Sequence, residues 1–173
     1  MATEQGDYYL EKLKKIMIFR YLDDKALKEI LKIADVINYK KDDRIISEGE
    51  LSQYLYAVLE GSVNVYIKQS GDKQVFLSSL ESGDVFGEAG MFLKVKRTAN
   101  IVSMENSSIL RINRKDLFEF FAKSSQSGIK ILMIIIYSLL KKLRESNQEL
   151  AFERKSNLAQ EDVDRLIDDL SKM

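Results

Sequence analysis

The chain contains no cysteine, no histidine and no proline. Without cysteine there is no thiolate nucleophile and no disulfide. Without histidine there is no imidazole base, and the usual zinc ligands disappear with both. Any catalysis would have to run on carboxylates, lysines or hydroxyls. The lack of cysteine fits a reducing compartment. An excess of either charge is also absent: Lys plus Arg and Asp plus Glu each number 27. The chain as a whole therefore offers no electrostatic footprint for nucleic acid or anionic lipid. The longest apolar run, ILMIIIYSLL over Ile131–Leu140, is about half of the ~20 residues needed to span a bilayer, and it reads as a buried helix. The opening MATEQGDYYLEKLKK is polar and lacks the apolar core of a secretory signal. These features predict a cytoplasmic protein, and 173 residues allow one domain with a real core.

Three regions separate by periodicity. From Tyr9 to Ile37 apolar residues recur at helical spacing, with Asp23–Asp24 as a cap before the second set. This predicts a pair of helices over 9–37. Over 36–113 the period changes to two. YLYAVLE and SVNVYIK flank Gly61, KQVFLSSL follows a turn at Ser70–Gly71–Asp72, and TANIVSM and SSILRIN follow further turn signals. Short strands at such spacing predict an antiparallel barrel or sandwich rather than a βαβ nucleotide fold. From Arg114 the helical period returns: RKDLFEFFAKS is one helix, Ser127–Gly128 is expected to break it, and a long helix is expected from Ile129. That gives one domain over 1–155, followed by an acidic helix or tail over 156–173 set off by a stop near Ser156–Asn157.

The chemistry concentrates in Phe86–Val102, FGEAGMFLKVKRTANIV. Gly87 lets backbone approach a ligand closely, and the first N–H groups of the short turn after it lack internal partners, which favours an anion. The planar fork of Arg97 suits a phosphate with two free oxygens, and Thr98 adds a hydroxyl. Glu88 can accept hydrogen bonds from a sugar hydroxyl. Together they describe a pocket for a ribose phosphate. The competing account is that Glu88 and Arg97 simply pair with each other, although a buried ion pair gains little over apolar packing.

This segment resembles the phosphate-binding cassette of the cyclic-nucleotide-binding domain family. Phe86-Gly87-Glu88-Ala89-Gly90-Met91 followed by Arg97-Thr98-Ala99 matches its pattern, and IISEGELSQYLYAVLEGSVNV, SLESGDVFGE and RKDLFEFF resemble the flanking segments, over roughly residues 10 to 150. The resemblance implies a mainly β fold: a jelly-roll barrel with N-terminal helices and a long C-terminal helix. It also implies that Glu88 holds the ribose 2′-hydroxyl, that Arg97 and the N–H groups around Gly87 to Gly90, Ala89 among them, hold the cyclic phosphate, and that Thr98 lies near phosphate and base. Ala89 stands where the family has a larger apolar residue, and Ser52–Gln53 stand where it often has Gly-Asp.

On the long helix Ile129, Leu132, Ile136, Leu139, Leu143, Ser146 and Leu150 follow alternating three- and four-residue steps, an a/d seam that predicts a homodimer. Catabolite-activator relatives carry adenine-binding hydroxyl residues where this helix has Ser146 and Asn147, which makes those two candidate ligand contacts. About twenty residues follow the helix, acidic rather than basic, and they are not expected to form a DNA-reading module. The sequence thus predicts a non-enzymatic receptor for a cyclic nucleotide, cAMP with cGMP as the alternative, with no permanent cofactor and no metal. Its expected partners are a second copy and an unnamed protein, not nucleic acid and not a membrane. A scaffold that keeps the fold without binding nucleotide is the competing reading.

Overall fold

Helix α1 (Ala2–Lys15) and helix α2 (Asp24–Ile33) open the chain. Asp23 caps α2, its carboxylate accepting from the Ala26 N–H at 2.8 Å, as its position before the apolar set predicts. Leu10, Leu13, Ile16, Ile18, Phe19, Leu27 and Ile30 are buried and pack this end of the molecule. The helical period was expected to run to Ile37. It stops at Ile33, because the next residues pair as strand β1 (Ala34–Tyr39), with Val36 opposite Leu110 and Ile37 opposite Ile109. β-branched residues suit that pleated pairing better than another helical turn. The computed structural model describes residues 2–69 and 73–171, with side chains over 6–69, 73–152 and 154. The turn expected at Ser70–Gly71–Asp72 lies outside the described residues.

Seven further strands follow: β2 (Arg44–Ile46), β3 (Tyr54–Glu60), β4 (Ser62–Lys68), β5 (Gln74–Glu81), β6 (Val85–Phe86), β7 (Asn100–Ser103) and β8 (Ser107–Asn113), with the short helix α3 (Glu88–Leu93) between β6 and β7. They form two four-stranded antiparallel sheets, ordered β1-β8-β3-β6 and β2-β7-β4-β5. The first sheet contributes Tyr56, Val58, Phe86 and Ile109 to a shared core, and the second contributes Ile46, Val63 and Ile101. Alternation along each strand sends one set of side chains inward, which gives the antiparallel sandwich that the period of two predicts, with the jelly-roll character that the resemblance implies.

After β8, helix α4 (Arg114–Lys123) is capped by Asn113, whose side chain accepts from the Lys115 N–H at 2.8 Å. Helix α5 then runs unbroken over Ser125–Ser171. Two expectations fail here. The break between the helices falls at Ser124, not at Ser127–Gly128; Gly128 lies inside α5, where an added Cβ would meet Phe121 at 3.0 Å, so close packing rather than chain breaking accounts for the glycine. The stop expected near Ser156–Asn157 is absent, since neither residue removes a backbone donor as proline would.

By Cα proximity the chain divides into Met1–Ile134, which holds both sheets, and Ile135–Met173, which holds the rest of α5. The apolar run expected to be buried is only partly so. Ile131 is inaccessible, while Met133, Ile136, Tyr137 and Leu140 are exposed. Among the described residues no helix is long and apolar enough to cross a membrane.

Candidate functional site

Strand β6 delivers Gly87 to the mouth of the sandwich. Gly87 sits in the left-handed region (φ 80°, ψ 9°) as the residue before α3, a conformation that glycine adopts without steric cost. The first bond inside α3 runs from the Met91 N–H to the Gly87 carbonyl at 3.2 Å, so the N–H groups of Glu88, Ala89 and Gly90 precede it. Glu88 is half-buried, Ala89 exposed and Gly90 buried. Lys94 ends the helix with φ 54°, and the chain then turns back toward β7 carrying Arg97 and Thr98.

Arg97 is 5% exposed, an unusual degree of burial for a guanidinium. Its backbone is clamped to the loop before β3: the Arg97 N–H donates to the Glu50 carbonyl at 2.9 Å, and the Gly49 N–H donates to the Arg97 carbonyl at 2.8 Å. Its side chain reaches across α3. Nη1 donates to the Gly87 carbonyl at 2.7 Å, and Nη2 donates to the Tyr54 carbonyl at 2.7 Å and to Ser52 Oγ at 3.1 Å. Cζ lies 5.5 Å from the centre of the Tyr56 ring, which in turn stacks on Phe86 at 5.1 Å and 8°. Three neutral oxygens thus hold the guanidinium in place. Its Nε is buried without an acceptor.

The two glycines of the cassette exist for this guanidinium. A Cβ on Gly90 would meet Nη1 at 2.6 Å and Cζ at 3.0 Å, and one on Gly87 would meet Nη1 at 2.7 Å. Any larger residue at either position would push the cation out of its seat. A buried positive charge surrounded by uncharged acceptors, beside the first turn of a helix, is chemically suited to receive an anion.

The structure thus brings Gly87, Glu88, Ala89, Gly90 and Arg97 together around α3, with exposed Thr98 adjoining them. Ser146 and Asn147 lie on α5, exposed, in the second unit. Sequence reasoning missed three contributors: the Ser52 hydroxyl, the Tyr54 carbonyl and the Tyr56 ring. The Tyr54–Tyr56 alternation at the head of YLYAVLE could have indicated a shared face. A backbone carbonyl leaves no trace in side-chain identity. Among the described residues no group of three or more acidic side chains is placed to hold a metal.

The family model for the cyclic nucleotide-binding domain matches residues 36–124, which contain β2 to β8 and every residue of the cassette. The chain belongs to the cyclic nucleotide-binding domain family. Over 141 residues it is 31% identical to the cAMP-activated global transcriptional regulator CRP of Pasteurella multocida, a match covering 81% of this chain and 63% of that protein. Over 118 residues it is 27% identical to human cGMP-dependent protein kinase 2, covering 68% of this chain and 16% of the kinase. The chain therefore spans less than two thirds of either relative. Among solved structures, a cyclic nucleotide-binding domain from Methylobacillus flagellatus superposes with a TM-score of 0.72 at 23% identity, covering 84% of this chain and 82% of that one. That likeness carries the fold.

Proposed function

We propose that the chain is a cytoplasmic receptor for a cyclic nucleotide, cAMP before cGMP, and that it acts by conformational change on a protein partner or on its own dimer rather than by catalysis. The observation that carries this reading is Arg97: a buried guanidinium met by neutral oxygens, with Nε left unpaired beside the N–H groups of α3. In this reading the cyclic phosphate takes Arg97 and the N–H groups around Gly87, Ala89 and Gly90. Glu88 accepts from the ribose 2′-hydroxyl, Thr98 lies near phosphate and base, and Ser146 and Asn147 meet the base. Exposure of Ile129, Ile136, Leu139, Leu143 and Leu150 along α5 supports a dimer through that seam. With 27 charges of each sign, the chain gains nothing from duplex phosphates as a whole, so its output is assigned to protein contacts.

Calorimetry tests the site. Arg97→Ala weakens cAMP binding by about 2–4 kcal/mol, because the phosphate loses a charge-assisted, desolvated partner. Glu88→Gln costs less, since an amide oxygen still accepts one bond. Equal binding by wild type and Arg97→Ala would refute the assignment. The scaffold reading draws on the fact that Nη1 and Nη2 already have protein acceptors. A thermal-shift screen with cAMP, cGMP and cyclic dinucleotides separates the two, and no shift with any of them favours the scaffold.

A further inference from the structure

The loop entering β3 holds Arg97 twice. Gly49 and Glu50 fix its backbone through the paired bonds at 2.8 and 2.9 Å, and two residues later Ser52 places its hydroxyl 3.1 Å from Nη2. The far end of the same loop is tied down as well, because the Arg114 N–H at the start of α4 donates to the Gln53 carbonyl at 2.8 Å. Ser52 is half-buried, and its oxygen lies 3.5 Å from the hydroxyl of the buried Tyr56, whose ring underlies the guanidinium.

We propose that Ser52 is a positioning residue for Arg97. Its hydroxyl fixes the rotation of the guanidinium so that Nη1 and Nη2 face protein and Nε faces the ligand phosphate. The inference rests on the cyclic-nucleotide reading of the site. Its physical basis is the count of acceptors. Nη2 has two hydrogens and two acceptors, the Tyr54 carbonyl and Ser52 Oγ; Nη1 has the Gly87 carbonyl; Nε alone has none. The Gly87 and Tyr54 carbonyls hold one hydrogen on each Nη, and Ser52 engages the second hydrogen of Nη2, so the guanidinium is fixed from three directions where two would leave it room to tilt. A hydroxyl also performs this task without cancelling the charge. A carboxylate in the same place would neutralise the guanidinium and compete with the phosphate for it.

The test is calorimetric titration of cAMP into wild type, Ser52→Ala, Ser52→Thr and Arg97→Lys, and into the double variant Ser52→Ala/Arg97→Lys, with thermal melting of each ligand-free protein. Ser52→Ala lowers cAMP affinity about tenfold, in line with one hydrogen bond to a charged donor. Ser52→Thr, which keeps the oxygen, stays within about threefold of wild type by the same reasoning. In the Arg97→Lys background, where no planar fork remains to be rotated, Ser52→Ala adds little. Unchanged affinity in Ser52→Ala, or failure of Ser52→Thr to restore it, overturns the proposal. So does an equal effect of Ser52→Ala in both backgrounds, which would mark a general loosening of the loop. If Arg97→Lys itself binds cAMP as wild type does, the reading of the site fails and not the role of Ser52 alone.

Discussion

Replacing Gly90 by alanine sets local propensity against the buried cation. Within a helix the substitution is ordinarily stabilising by about 1 kcal/mol, because glycine loses more backbone freedom on folding. Here the three heavy atoms nearest the added Cβ all belong to Arg97: Nη1 at 2.6 Å, Cζ at 3.0 Å and Nε at 3.3 Å. Ordinary contact begins near 3.5 Å, so the guanidinium must retreat by about 1 Å. The Nη1 bond to the Gly87 carbonyl, 2.7 Å long, cannot survive that retreat at normal length. A hydrogen bond from a charged donor contributes about 1.5–3 kcal/mol. Set against the propensity gain, Gly90→Ala lowers the stability of the ligand-free protein by about 1 kcal/mol. For a protein of this size that is about 2–4 °C in Tm. On the proposed reading of the site binding suffers more, because the displaced guanidinium would no longer face the phosphate, and cAMP affinity falls about tenfold or more. The decisive measurement is the same substitution in an Arg97→Ala background. With the guanidinium gone the Cβ meets no such obstacle, so the effect on stability changes sign and Gly90→Ala becomes stabilising. Thermal melting of the four proteins and calorimetry of Gly90→Ala complete the cycle. Wild-type affinity in Gly90→Ala, or destabilisation of equal size with and without Arg97, would refute the reasoning.

Two further outcomes follow from other parts of the chain. Glu60 accepts from Lys12 and from the Tyr8 hydroxyl, and these bonds, Lys12 first, hold its carboxyl below the usual carboxylate range. A depressed folded value means that the contribution is present above the unfolded value of about 4.3 and is lost as pH falls through the folded one. The gap in melting temperature between wild type and Glu60→Gln is therefore open at neutral pH and closes in acid; a gap independent of pH excludes the charge as its cause. If α5 pairs through the proposed seam, where Ser146 occupies a d position, Ser146→Leu strengthens that dimer in sedimentation. If Ser146 also meets the base, the same variant loses cAMP affinity or cAMP/cGMP discrimination, whereas unchanged affinity and selectivity leave Ser146 with a register role alone.

Much of this architecture is legible locally. Alternating YLYAVLE, SVNVYIK and SSILRIN announce strands because successive side chains face opposite sides of a sheet, and all three form as expected. Asp23 announces the start of α2 because a short acceptor satisfies an otherwise orphaned N–H. The cassette is readable as a motif, since its glycines, glutamate and arginine fall within about a dozen consecutive residues. Elsewhere distant partners override local preference. Val36 and Ile37 continue a helical apolar pattern, yet β8 takes them as strand residues because only pairing across some seventy positions satisfies their backbone. Gly128 reads as a helix breaker, yet it lies within α5, and its want of a side chain answers to Phe121, which leaves no room for one. The seat of Arg97 is the clearest case. Two of its three acceptors are backbone carbonyls and the third is a serine 45 positions away. Carbonyls are identical in every residue, so nothing in the order of side chains marks which of them will surround a cation. That choice falls to the antiparallel pairing of β3 with β6, which sets Tyr56 against Phe86 and so carries the Tyr54 carbonyl and Gly87 to the same guanidinium.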